Sequence, residues 1–116
     1  MAYITSHADV LELLADPTRR AVFEAVARHP RAVGELAAGL PVSRPAVSQH
    51  LKRLKEAGLV HETPEGTRRI YAARREALLP LRRYLESFWD DALASFGEHV
   101  TRRARGRTNS NREDAT

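Results

Sequence analysis

The feature that most constrains what this chain can fold into is the stretch VSRPAVSQHLKRLKEAGL, residues 42–59, because it signals both ends of a single helix. Ser43 supplies an N-cap hydroxyl able to accept from a backbone N–H one turn on. Pro45 falls in the first turn, where its missing N–H would have had no partner. Val42 and Val47 take the two positions of a hydrophobic staple. Gly58 stands where a left-handed residue must end the helix, and Leu54 and Leu59 then occupy the contacting positions of a Schellman cap. Between these ends Val47, Leu51 and Leu54 form one apolar stripe, while Arg44, Ser48, Gln49, Lys52, Arg53 and Lys55 lie off it. A short helix that buries one side and presents Ser, Gln, Arg and Lys on the other suits insertion into a DNA major groove.

The flanking sequence supplies a frame for that helix. Ser6 with Asp9 forms a capping-box start, followed by Val10, Leu13 and Leu14 at helical spacing. Asp16-Pro17 opens a second helix with a stripe of Val22, Phe23 and Val26, and His29-Pro30 stops it. Ala32 and Val33 read as a very short strand, Gly34–Ala38 as a helix of one to two turns with Leu36 buried, and residues 39–42 as the turn into the central helix. Two short helices joined by a tight Gly-containing turn make a helix-turn-helix. Beyond it, residues 59–63 and 68–72 read as two strands around the turn Pro64-Glu65-Gly66-Thr67, an Arg-bearing hairpin in the position of a wing. His50 borders the apolar stripe beside Leu51 and reads as a half-buried structural residue rather than a base reader.

From about Arg74 to Arg102 a long helical pattern follows, and Pro80 near its start means that the helix either kinks there or begins there after one separate turn. Its wide apolar stripe includes Leu78, Leu81, Tyr84, Leu85, Phe88, Trp89, Ala92, Phe96 and Val100. A domain this small has little core left to cover such a stripe, which points to a homodimer interface through Leu81, Tyr84, Leu85, Phe88, Trp89 and Phe96. The competing reading folds the helix back on its own domain. Residues 103–116 carry no apolar periodicity and are expected to be a disordered basic tail, leaving residues 1–102 as one domain that includes the dimerisation helix.

Charge is distributed in blocks along the 116 residues. Residues 43–75 carry eight Lys or Arg against three acids, whereas residues 1–42 have a net charge of −1 and residues 76–101 of −3. A basic middle between acidic flanks is the footprint of a local polyanion-binding surface. With no Cys in the chain, disulfides, thiolate metal sites and a Cys nucleophile are excluded. The five His are scattered at 7, 29, 50, 61 and 99, and no Gly-rich phosphate loop or nucleophile–base pair stands at motif spacing, so no enzyme and no cofactor is expected. No apolar run is long enough to span a membrane and no secretory signal opens the sequence, which makes a cytoplasmic protein the default.

Taken together, LADPTRRAVFEAV (14–26), VGELAAGLPVSRPAVSQHLKRLKEAGLV (33–60) and the wing EGTRRIY (65–71) resemble the ArsR-type, or arsenic-repressor-like, winged helix-turn-helix regulators. The resemblance implies a mainly α fold of about five helices plus a β-hairpin wing, a homodimer joined through the first and last helices, and repression of a promoter, often the regulator's own. Metal-sensing members carry Cys near the helix before the recognition helix, or Asp/His/Glu clusters on the last helix. Here the first location reads Val33-Gly34-Glu35-Leu36-Ala37, and Asp90, Asp91, Glu98 and His99 on the last helix lack the paired His spacing, so no metal site is expected.

Double-stranded DNA is thus the expected partner. Arg44, Ser48 and Gln49 are the candidate base readers; Ser43, Lys52, Arg53, Arg68 and Arg69 are the candidates for backbone contacts. The alternative is a helical protein-interaction module that uses the last helix alone. The sequence assigns no small-molecule effector.

Overall fold

The computed structural model describes residues 6–106, with side chains as far as residue 97. Five α-helices, one 3-10 turn and a three-stranded sheet make up the described chain: α1 His7–Ala15, α2 Pro17–Arg28, β1 Arg31–Ala32, α3 Val33–Gly39, α4 Arg44–Glu56, β2 Val60–Glu65, β3 Arg68–Ala73, a 3-10 turn at Arg75–Leu78, and α5 Leu79–Gly106. Two units are separated between Arg82 and Arg83, inside α5. Among the described residues no helix is long and apolar enough to cross a membrane.

In the first unit α1, α2 and α4 start on the side-chain caps expected from the sequence, whereas α3 starts at Ala32 without one. The Ser6 hydroxyl accepts from the Asp9 N–H at 3.2 Å, and the Asp9 carboxylate accepts from the Ser6 N–H at 3.4 Å. Asp16 Oδ1 accepts from the N–H groups of Thr18 and Arg19 at 2.9 and 3.0 Å. These donors, that of Arg19 foremost, hold the Asp16 carboxyl below its ordinary range. The turn between α1 and α2 is closed by side chains that sequence periodicity does not reveal. Arg19 Nε donates to the Leu13 carbonyl at 2.7 Å and Arg20 Nη1 to the Leu14 carbonyl at 2.8 Å, satisfying oxygens left over at the end of α1.

The core gathers one side of each element. Val10, Val22, Val26, Leu36, Val47, Leu51, Leu54, Leu59 and Val60 are fully buried, with Leu13 and Phe23 nearly so. Each such side chain contributes about 1.5–3 kcal/mol relative to exposure, and this is what fixes α4 against α2 and α3. The sheet runs β1-β3-β2, all antiparallel, with Arg31 opposite Tyr71 and Ala32 opposite Ile70 on one side of β3. On the other side the register runs from Val60 opposite Ala73 to Glu65 opposite Arg68.

Three boundaries differ from the sequence reading. The short strand is Arg31–Ala32, and Val33 already belongs to α3. Strand β2 continues through Pro64 to Glu65, leaving only Gly66 and Thr67 as the loop, with Gly66 at φ 67°. Pro64 is tolerated there because β2 is an edge strand, so a residue without an N–H need not break a ladder. Of the two alternatives at Pro80, the structure has the separate turn: the 3-10 segment ends at Leu78 and α5 starts at Leu79, which puts Pro80 in its first turn. At its other end α5 reaches Gly106, so residues 103–106, expected to be disordered, are helical. Arg103, Ala104 and Arg105 are strong helix formers, and Arg residues near a C-terminus favour the helix dipole. The rest of the expected tail lies outside the described residues.

Candidate nucleic-acid interface

The helix-turn-helix is α3 and α4 with residues 40–43 between them. The start of α4 is built as its sequence demands: Ser43 Oγ accepts from the Ala46 N–H at 3.2 Å, and the Ser43 carbonyl accepts from the Val47 N–H at 3.0 Å. At the other end the Leu59 N–H donates to the Leu54 carbonyl and the Gly58 N–H to the Lys55 carbonyl, both at 2.9 Å, with Gly58 at φ 85°. That is a Schellman cap with Leu54 and Leu59 buried at its contact. It turns the chain at once into β2, and so ties the wing to the end of the recognition helix.

With Val47, Leu51 and Leu54 buried, the opposite face of α4 is open. Ser48, Gln49, Lys52 and Arg53 are all exposed on it, with no backbone task. Ser43 stands at the helix start, its oxygen used by the cap and its hydroxyl proton left to donate. His50 is half-buried, in keeping with the structural reading. Arg44 departs from the helical row. A β carbon on Gly34 would stand 3.7 Å from Arg44 Nη1, so this guanidinium lies over the start of α3. There it joins Arg68 and Arg69 of the wing, with Thr67, Tyr71, Glu35 and residues 32–34, around an open recess of about 460 Å3.

The wing cations are held by carboxylates, a feature the sequence reading missed. Arg68 Nη2 is 2.9 Å from Glu35 Oε1, which also accepts from the Ala32 N–H at 3.0 Å. Glu62 Oε2 takes both Lys55 Nζ at 2.9 Å and Arg69 Nη1 at 3.1 Å. The Ala32 N–H, followed by Arg68, keeps the Glu35 carboxyl below its usual range; the Lys55 and Tyr71 side-chain hydrogen bonds do the same for Glu62. Burial, with Glu62 as acceptor, pushes the Tyr71 phenol up to about 12. Glu62 lies seven residues from both Lys55 and Arg69, and Glu35 lies 33 residues from Arg68, so the pairs could be read only with the fold of the hairpin against α3 and α4 in hand.

Helix α5 contributes differently. Leu78 and Leu81 pack partly buried against the core of the first unit, so Leu81, expected at a dimer interface, is occupied within its own domain. In the second unit Tyr84 is half-buried and meets Phe88 edge to face, ring centres 4.8 Å apart at 73°. Leu85, Phe88, Trp89 and Phe96 each expose more than half of their surface. So does Leu93, overlooked in the sequence although it stands four residues after Trp89 and three before Phe96. Among the described residues no group of three or more His, Cys, Asp or Glu could hold a metal ion; the side chains of Glu98 and His99 lie outside them.

Comparison with known proteins agrees with this architecture. A helix-turn-helix domain family model matches residues 14–63. The chain is 55% identical over 89 residues to the HTH-type transcriptional regulator Rv2034 of Mycobacterium tuberculosis, a match covering 77% of this chain and 83% of that protein. Among solved structures it is similar to an ArsR-like transcriptional regulator from Rhodococcus sp. RHA1, with a TM-score of 0.65 and 34% identity, covering 79% of this chain and 90% of the other. It is also similar to the homodimeric winged helix-turn-helix DNA-binding domain of Mb0332 from Mycobacterium bovis, with a TM-score of 0.55 and 26% identity, covering 71% and 76%. An exposed recognition face, an Arg-bearing wing and these likenesses have one explanation: the chain belongs to the ArsR family of winged helix-turn-helix DNA-binding transcriptional regulators.

Proposed function

We propose that this regulator is a cytoplasmic homodimeric repressor that reads an inverted repeat and closes the promoter containing it, its own among the candidates. The observation that carries the reading is the row of exposed apolar side chains on α5, with Phe88, Trp89 and Phe96 at its centre. Burying several hundred Å2 there contributes several kcal/mol at about 25 cal/mol per Å2, before the cost of association is subtracted. Exposed Leu11 on α1 offers a second apolar contact, and the similar Mb0332 domain is named as homodimeric.

The dimer matters because a single α4 offers few base contacts. Two copies related by a two-fold axis enter successive major grooves about 34 Å apart and read the same half-site twice. Ser48 and Gln49 address base edges, Gln pairing well with adenine. Ser43, Lys52, Arg53, Arg68 and Arg69 hold phosphates, which set register without reading sequence. Arg44, a candidate base reader by sequence position, lies beside Arg68 in the recess over Gly34, a place that favours a phosphate. The protein binds and occludes; no catalytic step is assigned to it.

Gel retardation on duplex DNA from the region upstream of its own coding sequence tests this. The expected result is a discrete shifted band at moderate salt that a random duplex of equal length competes away poorly. A protein-interaction module would leave the duplex unshifted. Arg68→Ala with Arg69→Ala should weaken binding to all duplexes and flatten the dependence of log K on log salt; an unchanged slope removes the wing from the contact.

A further inference from the structure

We infer that Glu35 is a resident stand-in for a DNA phosphate: it sits in the recess between α3, the start of α4 and the wing, occupies Arg68 in the free protein, and so sets a ceiling on affinity for every duplex. The inference rests on the DNA-binding reading and deepens it.

Arg44, Arg68 and Arg69 line the recess together with Thr67, the Arg69 guanidinium being held by Glu62. Arginine clusters of this kind match phosphate oxygens, and the same donors are satisfied by a carboxylate. Glu35 is that carboxylate. It lies 2.9 Å from Arg68, and the Ala32 N–H fixes it there at 3.0 Å, so its position is set by the backbone rather than by Arg68 alone. Its side chain is 55% exposed, at the surface where a phosphate would arrive. Glu62, the other acid of the wing, differs in this respect. Only 15% exposed, it lies behind Lys55 and Arg69, which remain 49% and 63% exposed in front of it. Arg68 is 49% exposed, like Lys55, so the two acids differ in their own place: Glu62 lies beneath its cations, whereas Glu35 shares the surface with Arg68 and competes there for it. A phosphate entering the recess must displace Glu35 from Arg68 or bind beside a carboxylate that stays ionised, and either outcome removes about one phosphate contact from the electrostatic balance.

The test compares wild type with Glu35→Gln, whose amide oxygen still accepts from Ala32, by titrating specific and random duplexes across a salt series. Each phosphate neutralised adds about 0.9 to the slope of log K against log salt. The Gln variant is therefore expected to steepen that slope by about one and to bind both duplexes about five- to tenfold more tightly at 0.1 M salt. Glu24→Gln, which removes an exposed acid from α2, controls for net charge and should move neither quantity as far. In an Arg68→Ala background the Glu35 effect should fall to the Glu24 level. Glu35→Ala serves as a second variant and should shift the slope in the same direction, with a melting curve to show that both fold. An unchanged slope, a loss of affinity, or equal effects of Glu24→Gln and Glu35→Gln overturns the inference while leaving DNA binding intact. Failure of the wild-type protein to bind any duplex refutes the DNA reading itself.

Discussion

Helices α4 and α5 are both amphipathic, yet among the described residues only α4 has its apolar face covered. In α4 the apolar side chains Val47, Leu51 and Leu54 are wholly buried, both caps are made by its own residues, and what remains exposed is polar. In α5 the first turn resembles α4, with Leu81 against the core, but from Leu85 to Phe96 the large apolar residues expose more than half of their surface. The difference separates two tasks. A helix finished by its own domain holds a polar face at a fixed angle, which reading a groove requires. A helix with an open apolar face needs a second surface to cover it, and in the proposed dimer a second copy of itself supplies one of matching composition.

Substitutions can break or sharpen that contrast. The largest effect belongs to Leu51→Ala in α4. Removing a fully buried Leu from a packed core costs about 2–5 kcal/mol, so the urea midpoint should fall at every protein concentration. A small, concentration-dependent fall would mean that α4 too is completed by a partner. Next comes Trp89→Ala on α5, expected to weaken self-association by about 2 kcal/mol, near thirtyfold in Kd, while the unfolding of dilute monomer stays as in wild type. Sedimentation equilibrium measures it, and an unaltered association constant would move the interface elsewhere. Gln49→Ala should cost about 1–3 kcal/mol on the specific site only and relax preference at one base pair; equal losses on specific and random DNA would deny it a reading role. Smallest is Ser43→Ala, where loss of the cap costs about 1 kcal/mol of stability, seen as a modest drop in melting temperature. A larger loss on DNA than on stability would show the hydroxyl also holding a phosphate.

What the sequence made legible follows the range of each interaction. The Ser43 cap and the Schellman turn of α4 involve residues within six positions of each other, and each is present as its pattern implies. The wing was legible as a hairpin, but its extent was not, because the tolerance of Pro64 depends on β2 having a neighbour on one side only. Leu81 and Phe88 lie on one continuous stripe in sequence, and only the packing of the first turn of α5 divides them. The electrostatics of the candidate interface were least legible. Glu35 reaches Arg68 across 33 residues, and Lys55, Glu62 and Arg69 meet only once the recognition helix and the hairpin are set side by side. A count of positive charges therefore pointed to the candidate interface without revealing that carboxylates already engage part of it.

The central claim is that α5 pairs two copies so that two α4 helices read one site. Selecting bound sequences from random duplexes and weighing the complexes tests it most directly. The account predicts an inverted repeat whose half-site centres are about one helical turn apart, bound by two protomers. Enrichment of a single half-site bound by one protomer, or of no sequence at all, would contradict it.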